Sequence, residues 1–386
     1  MAAQRIYLDY NATAPLLSAA REAMLDALGA ANPSSVHAEG RAARRIVEDA
    51  RRDVAELVNG RSEHVVFTSG ATEAASMLLT PEWTMGRAPL RFSRVYVSAA
   101  DHPCLLGGGR FSPESVERIG VTQDGLVDLA ALERALDAHD RTEGQPLVAV
   151  HAANNETGVI QPVEDVGRLV KKAGGVTIID AVQAAGRVQL DISKTCTDFL
   201  ILSSHKLGGP KGVGALVGGA DLMMPTALVK GGGQEKGHRA GTENVPGIAG
   251  FGAATRQALF SLNHMEAVRS RREEIEKAVL ELVPGALIYG QNSERLANTV
   301  LFSIPGMKAE TAQIAFDLNG IALSAGSACS SGKVGPSHVL QAMDYGEQAG
   351  ALRVSIGVET EDEDIQRFRA ALQKIATKRR TTNAAA

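Results

Sequence analysis

The sequence is short of cysteine, short of aromatic residues, and has almost no excess charge of either sign. Three cysteines, Cys104, Cys196 and Cys329, are scattered through 386 residues. An odd, widely spaced set excludes a disulfide framework and a Cys-x-x-Cys metal site, and points to a reducing, cytoplasmic setting. Forty basic residues against 44 acidic ones leave a formal charge of −4, too balanced for a nucleic-acid or anionic-membrane partner. No apolar run approaches the ~20 residues that span a bilayer. Met1-Ala-Ala-Gln-Arg5 leads directly into the strand-like Ile6-Tyr-Leu-Asp-Tyr10, without the pattern of a signal peptide. No segment repeats. What remains is an ordinary globular composition, 44% hydrophobic and 22% charged, long enough for a large and a small domain.

Between Val65 and Val217, apolar strand-like runs alternate with helical patterns. Strands are expected at Val65–Thr68, Val95–Ser98, Leu147–His151, Val176–Asp180, Phe199–Ser203 and Val213–Val217. Helices are expected at Arg41–Val58 and Val163–Ala173, where apolar residues recur at three and four. Such alternation implies an α/β fold with a mostly parallel central sheet, whose site lies beyond the carboxyl ends of the strands. Ala254–Leu282 reads as one long helix. Strands near Ala297–Ile304, Ile321–Ser324 and Leu352–Ile356, with helices at Ala309–Leu318 and Asp362–Ile375, suggest a smaller α+β domain. The expected division is a large domain over 15–258, a small one from 1–14 with 259–376, and a disordered tail over 377–386.

Two strand ends carry the chemistry. Asp198-Phe-Leu-Ile-Leu-Ser-Ser-His-Lys206 closes an apolar strand with two hydroxyls, an imidazole and an amine, and Val176-Thr-Ile-Ile-Asp180 closes another with a carboxylate. Either residue alone reads as a surface lysine or a helix cap. Together they meet the needs of pyridoxal phosphate: an amine to form a Schiff base with the aldehyde, and a carboxylate to keep the ring nitrogen protonated. Thr68-Ser-Gly-Ala-Thr-Glu73 follows a strand and opens a helix, so the amides of Ala71 and Thr72 can cradle a phosphate, with Ser203 and His205 as further donors.

His102, after the strand ending at Ser98, is placed to stack on a ring or move protons. Asn155, in Asn-Asn-Glu-Thr-Gly158, can bond the ring hydroxyl or a substrate carboxylate, and Gln183 is a similar donor. The glycine-rich segment from Lys230 to Asn244 offers Arg239 and Thr242 as phosphate contacts. Arg353, on a strand, can grip a carboxylate in a two-pronged contact. In Ser324-Ala-Gly-Ser-Ala-Cys329-Ser-Ser-Gly-Lys333, small neighbours leave the Cys329 sulfur unhindered on a mobile loop and the lysine favours thiolate. Cys104 reads as packing.

With these motifs in order, the chain resembles the cysteine desulfurases, most closely their nitrogen-fixation-type branch, among the class V aminotransferases of fold-type I. The likeness runs from Tyr7-Leu-Asp-Tyr-Asn-Ala12 and Asn32-Pro-Ser-Ser-Val-His37 through Asp180-Ala-Val-Gln183 and Ser-Ser-His-Lys206 to Arg239-Ala-Gly-Thr-Glu-Asn244 and Cys329. It implies that Lys206 carries the cofactor and moves the substrate's α-proton, and that Asp180 pairs with the ring nitrogen. His102 would stack on the ring and act as acid–base. Gln183 and Asn155 would contact the ring oxygen or substrate, and Ala71, Thr72, Ser203 and His205 would hold the phosphate. Thr242 would reach in from the second subunit of a homodimer. Arg353 and Asn155 would bind the carboxylate of L-cysteine. Cys329 would take the sulfur as a persulfide, leaving alanine, and pass it to an iron–sulfur scaffold or another acceptor protein. A selenocysteine lyase, or a class V aminotransferase or lyase that does not use the thiol, is the alternative at the same site.

Overall fold

A computed structural model describes residues 5–220, 223–326, 337–346 and 351–384. Its centre is a nine-stranded sheet. Strands Ala88–Ser98, Gln145–His151, Val176–Asp180 and Phe199–Ser203 lie side by side and parallel. Gly214–Gly218 runs antiparallel beside the last of these and pairs on its other edge with Val65–Thr68. The short strands Glu82–Met85, Val116–Ile119 and Met223–Pro225 complete the far edge. The interior strands are apolar on both faces, as burial under helices on each side requires: all five residues of Val176–Asp180 and of Phe199–Ser203 are buried. One packed core lies under the helices Ser18–Ala27, Ala38–Leu57, Val163–Lys172 and Val245–Ser261. A second lies on the opposite face against the helix Ala71–Leu78.

A separate core gathers Ile6 and Leu8 with residues from Val268 to Ala376. Around it lie the antiparallel strands Thr299–Phe302, Leu352–Ser355 and Ser324–Ala325, and the helices Met265–Leu282, Ala309–Leu318 and Asp362–Ala384. The strand Ile6–Tyr7 crosses from the chain's beginning to pair with Ile321–Ala322.

Two expectations change. The span expected as one helix over Ala254–Leu282 is two helices, Val245–Ser261 and Met265–Leu282, separated by a tight turn at Leu262–His264. Ser261, Asn263 and His264 are weak helix formers that break the continuity. The last helix continues to Ala384, through residues 377–384, where a disordered tail was expected. That stretch holds no glycine or proline, and Lys378, Arg379 and Arg380 are good helix formers.

Candidate active site

The parallel strands end on one side of the sheet, and their last residues open onto a cavity of about 600 Å³. Lys206 reaches it from the single helical turn Ser204–Lys206 that follows the strand Phe199–Ser203. Its Nζ donates to the backbone oxygens of Asn11 and, at 2.8 Å, Ala12. Asp180 ends the neighbouring strand, and its Oδ1 accepts from the Val182 amide at 3.0 Å. Burial pushes its carboxyl up to about 6, opposed by that bond and by the charges of His151 and Lys206.

The opposite wall is the turn Ser69–Thr72. No side chain caps the helix Ala71–Leu78 that it opens, so its N-terminal end faces the cavity with amide donors and the positive end of its dipole. Glu73 braces the turn: Oε2 accepts from the Ser69 amide at 2.8 Å and Oε1 from Arg239 Nε at 3.0 Å. Burial works against the Glu73 charge, but these bonds hold its carboxyl below its ordinary range. Ser203 and His205 line the same space. His205 Nδ1 lies 3.2 Å from Thr13 Oγ1, and burial followed by the Lys206 and Lys211 charges drives the imidazole down to about 4.

His102 caps the short helix Pro103–Leu106, its Nδ1 accepting from the Cys104 amide at 3.2 Å. That contact leaves the ring proton on Nε2. Burial, then the Lys206 and His338 charges, pushes His102 down to about 4. The ring is therefore neutral at pH 7, a base rather than the evenly titrating group its type alone suggests. Cys104 also lines the cavity, but burial and the Asp180 and Asp101 carboxylates hold its thiol far above the thiol range. It is a poor nucleophile there.

Lys206, Asp180, His102, Ala71, Thr72, Asn155, Gln183, Ser203 and His205 thus converge on one cavity. Gln183 is already engaged: Nε2 donates to the Asn11 oxygen at 3.0 Å and Oε1 accepts from Arg187. Arg353 and Thr242 lie outside the lining. Arg353 is 1% exposed, donating to the Asn155 oxygen at 2.9 Å and to Asp9 Oδ1 at 2.8 Å. Thr242 is exposed, beside a smaller neighbouring pocket that shares Ser69, Gly212 and Val213 with the main one. Cys329 lies outside the described residues.

The sequence reading gave no role to Asn11, Ala12 and Thr13, which form part of the wall. Asn11 is fully buried and bonds Asn155, Thr299, Asn298 and Ser355, so it ties the large sheet to the smaller core. Polar residues straight after a short apolar strand were the available signal. Asp101 and His151 were also missed. They lie 50 positions apart, and only the fold brings them together.

The family model for class-V aminotransferases matches residues 6–368. The chain belongs to that family. Class-V members work with pyridoxal 5′-phosphate, and the donor set fits it: an amine, a buried carboxylate next to it, and a helix start across the cavity. The chain is 42% identical to a cysteine desulfurase of Frankia sp. (strain EuIK1), over 94% of this chain and 88% of the relative. It is 39% identical to a cysteine desulfurase of Cereibacter sphaeroides, over 95% and 94%. Among solved structures, a NifS-like protein from Rickettsia africae ESF-5 superimposes with a TM-score of 0.85 at 32% identity, covering 96% of this chain and 99% of that one.

Proposed function

We propose that this class-V aminotransferase family member is a pyridoxal phosphate-dependent cysteine desulfurase, converting L-cysteine to L-alanine and passing the sulfur to Cys329. The observation that carries the reading is the convergence of Lys206, Asp180, His102 and the Ala71–Thr72 helix start on one cavity, in a chain whose relatives bear that name.

When bound, the cofactor supplies an electron sink that stabilises loss of a proton from the substrate's α-carbon. Everything else falls to the protein. Lys206 anchors the aldehyde and is the group that moves the α-proton. Asp180, held at the end of its strand, partners the ring nitrogen. The amides of Ala71 and Thr72, with Ser203 and His205, hold the phosphate, and Thr242 is proposed to reach the same phosphate in a second subunit. His102, neutral at pH 7, covers the ring and holds or gives up a proton at Nε2. Asn155 faces the substrate from the cavity wall, and Gln183 lies next to Asp180. Arg353 sits directly behind Asn155, and we assign it to the substrate carboxylate, for which Asp9 is the standing substitute. Cys329 as thiolate attacks the substrate sulfur and takes it as a persulfide; the C–S bond breaks and alanine leaves.

The core around Ile6, Leu8 and residues 268–376 supports dividing the chain into a large unit over 15–258 and a small one from 1–14 and 259–376. We place the protein in the cytoplasm, as a homodimer that hands sulfur to an iron–sulfur scaffold or another acceptor. Among the described residues, no helix is long and apolar enough to cross a membrane.

The test is to incubate the protein with L-cysteine, quantify alanine, and map the sulfur-bearing residue by mass spectrometry. Alanine with a persulfide on Cys329 is the expected result. Cys329→Ala should keep the cofactor's colour and lose sulfide release. Unchanged turnover in that variant moves the protein to the thiol-independent lyases and aminotransferases.

A further inference from the structure

The glycine-rich segment from Lys230 to Asn244 is fastened to the protein by a buried carboxylate that the proposed reaction leaves without a task. Glu235 is 7% exposed, and it meets Arg51, 5% exposed, on the helix Ala38–Leu57. The contact is two-pronged: Oε2 accepts from Arg51 Nη1 at 2.7 Å and Oε1 from Nη2 at 2.9 Å. A fork of this kind fixes orientation as well as distance. The pair also closes one edge of the main sheet, where Val65–Thr68 is the last strand. The Val65 oxygen accepts from Arg51 Nη1 at 2.8 Å, and the Phe67 amide donates to Glu235 Oε2 at 2.9 Å. The guanidinium lies 4.9 Å from the centre of the Phe67 ring.

Holding this place strains the loop. Glu235 and Lys236 both have left-handed backbones, with φ of 47° and 56°, a conformation disfavoured for any residue with a Cβ. Glycine takes it freely, yet Gly231, Gly232 and Gly233 of the same loop do not use it. Side chains stand at the strained positions because both are engaged: Lys236 Nζ donates to the Glu63 oxygen at 2.7 Å, beside the same edge strand. Two contacts lead from this anchor toward the cavity. Gln234 Oε1 accepts from the Gly241 amide at 3.2 Å, next to Thr242. Arg239 Nε donates to Glu73, whose other oxygen holds the Ser69 amide. We propose that Glu235 is a positioning residue for the cofactor's phosphate. Locked by Arg51 onto the strand that feeds the turn Ser69–Thr72, it sets the loop in the register at which Arg239 braces that turn and Thr242 is presented to a second subunit.

This rests on the reading of the turn as the phosphate site, and the test separates the two. Dissociation constants of full-length wild type, Glu235→Ala and Glu235→Gln are measured by cofactor absorbance for pyridoxal phosphate and for pyridoxal. Wild type should prefer pyridoxal phosphate. Glu235→Ala should cut that preference about tenfold, with pyridoxal affinity within about threefold of wild type. Glu235→Gln keeps one oxygen for Arg51 Nη1 and the Phe67 amide. It should lose about threefold of the preference, and it serves if the alanine variant fails to fold. A preference undiminished in the folded variants overturns the proposal and leaves the turn's role standing. An equal weakening of both ligands also overturns it, since a pair that only stabilises the fold would not single out the phosphate. A wild type with no preference removes the phosphate reading and this proposal with it.

Discussion

Two walls of the molecule carry residues of equal chemical promise, and the fold treats them differently. At the carboxyl ends of the parallel strands, Asp180, Lys206 and His151 all open onto the cavity. On the three-stranded sheet of the smaller core, Arg353 stands in the middle of the central strand, opposite Leu301 on one side and Ser324 on the other. It is among the most buried side chains in the protein and is held by Asp9 and the Asn155 carbonyl. The lesson concerns position rather than residue type. A strand end in an open α/β sheet delivers its last side chain to the crevice whatever that side chain is. A mid-strand side chain goes where the sheet's face goes, and a charge there has to be neutralised by a neighbour.

The sharpest way to break the comparison is at the strand ends. Lys206→Ala should abolish alanine formation by about 10³-fold or more, the scale on which a positioned acid–base group works. The bound cofactor should also become removable by dialysis, read as loss of visible absorbance. Retained turnover would show that the cavity is not the site. On the other wall, Arg353→Met leaves Asp9 without its partner. Breaking a buried ion pair from one side costs about 3–5 kcal/mol, so the urea midpoint should fall markedly, and the Michaelis constant for cysteine should rise if the guanidinium also serves the substrate. Asp9→Asn separates the two effects. It too loses stability, yet it should tighten cysteine binding by freeing Arg353. A weaker Michaelis constant in Asp9→Asn would mean that Arg353 is purely structural.

The contrast also explains what could be read from the chain. The strands Val65–Thr68, Val176–Asp180 and Phe199–Ser203 begin and end where their apolar runs do. Each run stops at a polar residue, so the signals that set the strand ends also pointed to the residues that line the cavity. Lys206, Asp180 and the Ala71–Thr72 turn were legible for that reason. Arg353 was legible as a strand residue but not as a buried ion pair, because Asp9 lies 344 positions away. Asp101–His151 was hidden in the same way. The short edge strands Glu82–Met85 and Met223–Pro225 were missed because each is too brief, and too exposed on one side, to leave a periodic trace.

A gentler probe lies between the two walls. Glu156, one residue past Asn155, is 1% exposed and accepts from Ser337 Oγ at 2.6 Å. Burial lifts its carboxyl from 4.5 to about 7, opposed by that hydroxyl and the Arg353 charge. A raised folded-state pKa means that the folded protein binds this proton more tightly than the unfolded chain does. The group therefore costs no stability below about 4.5 and progressively more as pH rises to about 7, after which the cost is constant. Glu156→Gln keeps an oxygen for Ser337 and cannot ionise. Relative to wild type it should gain roughly 2–3 kcal/mol in urea unfolding on going from pH 4.5 to pH 8, at about 1.4 kcal/mol per unit. A difference that does not vary with pH would mean that the carboxylate is compensated by contacts other than these.

The smallest effect is steric and tests whether the turn Ser69–Thr72 is a phosphate cradle at all. Gly214 begins the strand that runs antiparallel between Thr68 and Ser203. A Cβ at this position would fall 2.7 Å from both Cα and C of Gly70, and 2.8 Å from the Leu202 oxygen. These are backbone atoms, which cannot swing aside as a side chain would. Gly214→Ala should therefore push the turn outward, lowering stability by about 1–2 kcal/mol as overpacking does and weakening pyridoxal phosphate by about tenfold. The control is pyridoxal, which keeps the ring and aldehyde and lacks the phosphate. If the turn holds phosphate, the alanine variant should bind pyridoxal nearly as well as wild type does. If instead both ligands weaken equally, the methyl group has disturbed the Asp180–Lys206 side of the cavity, and the phosphate must be held by Ser203 and His205 without the helix start.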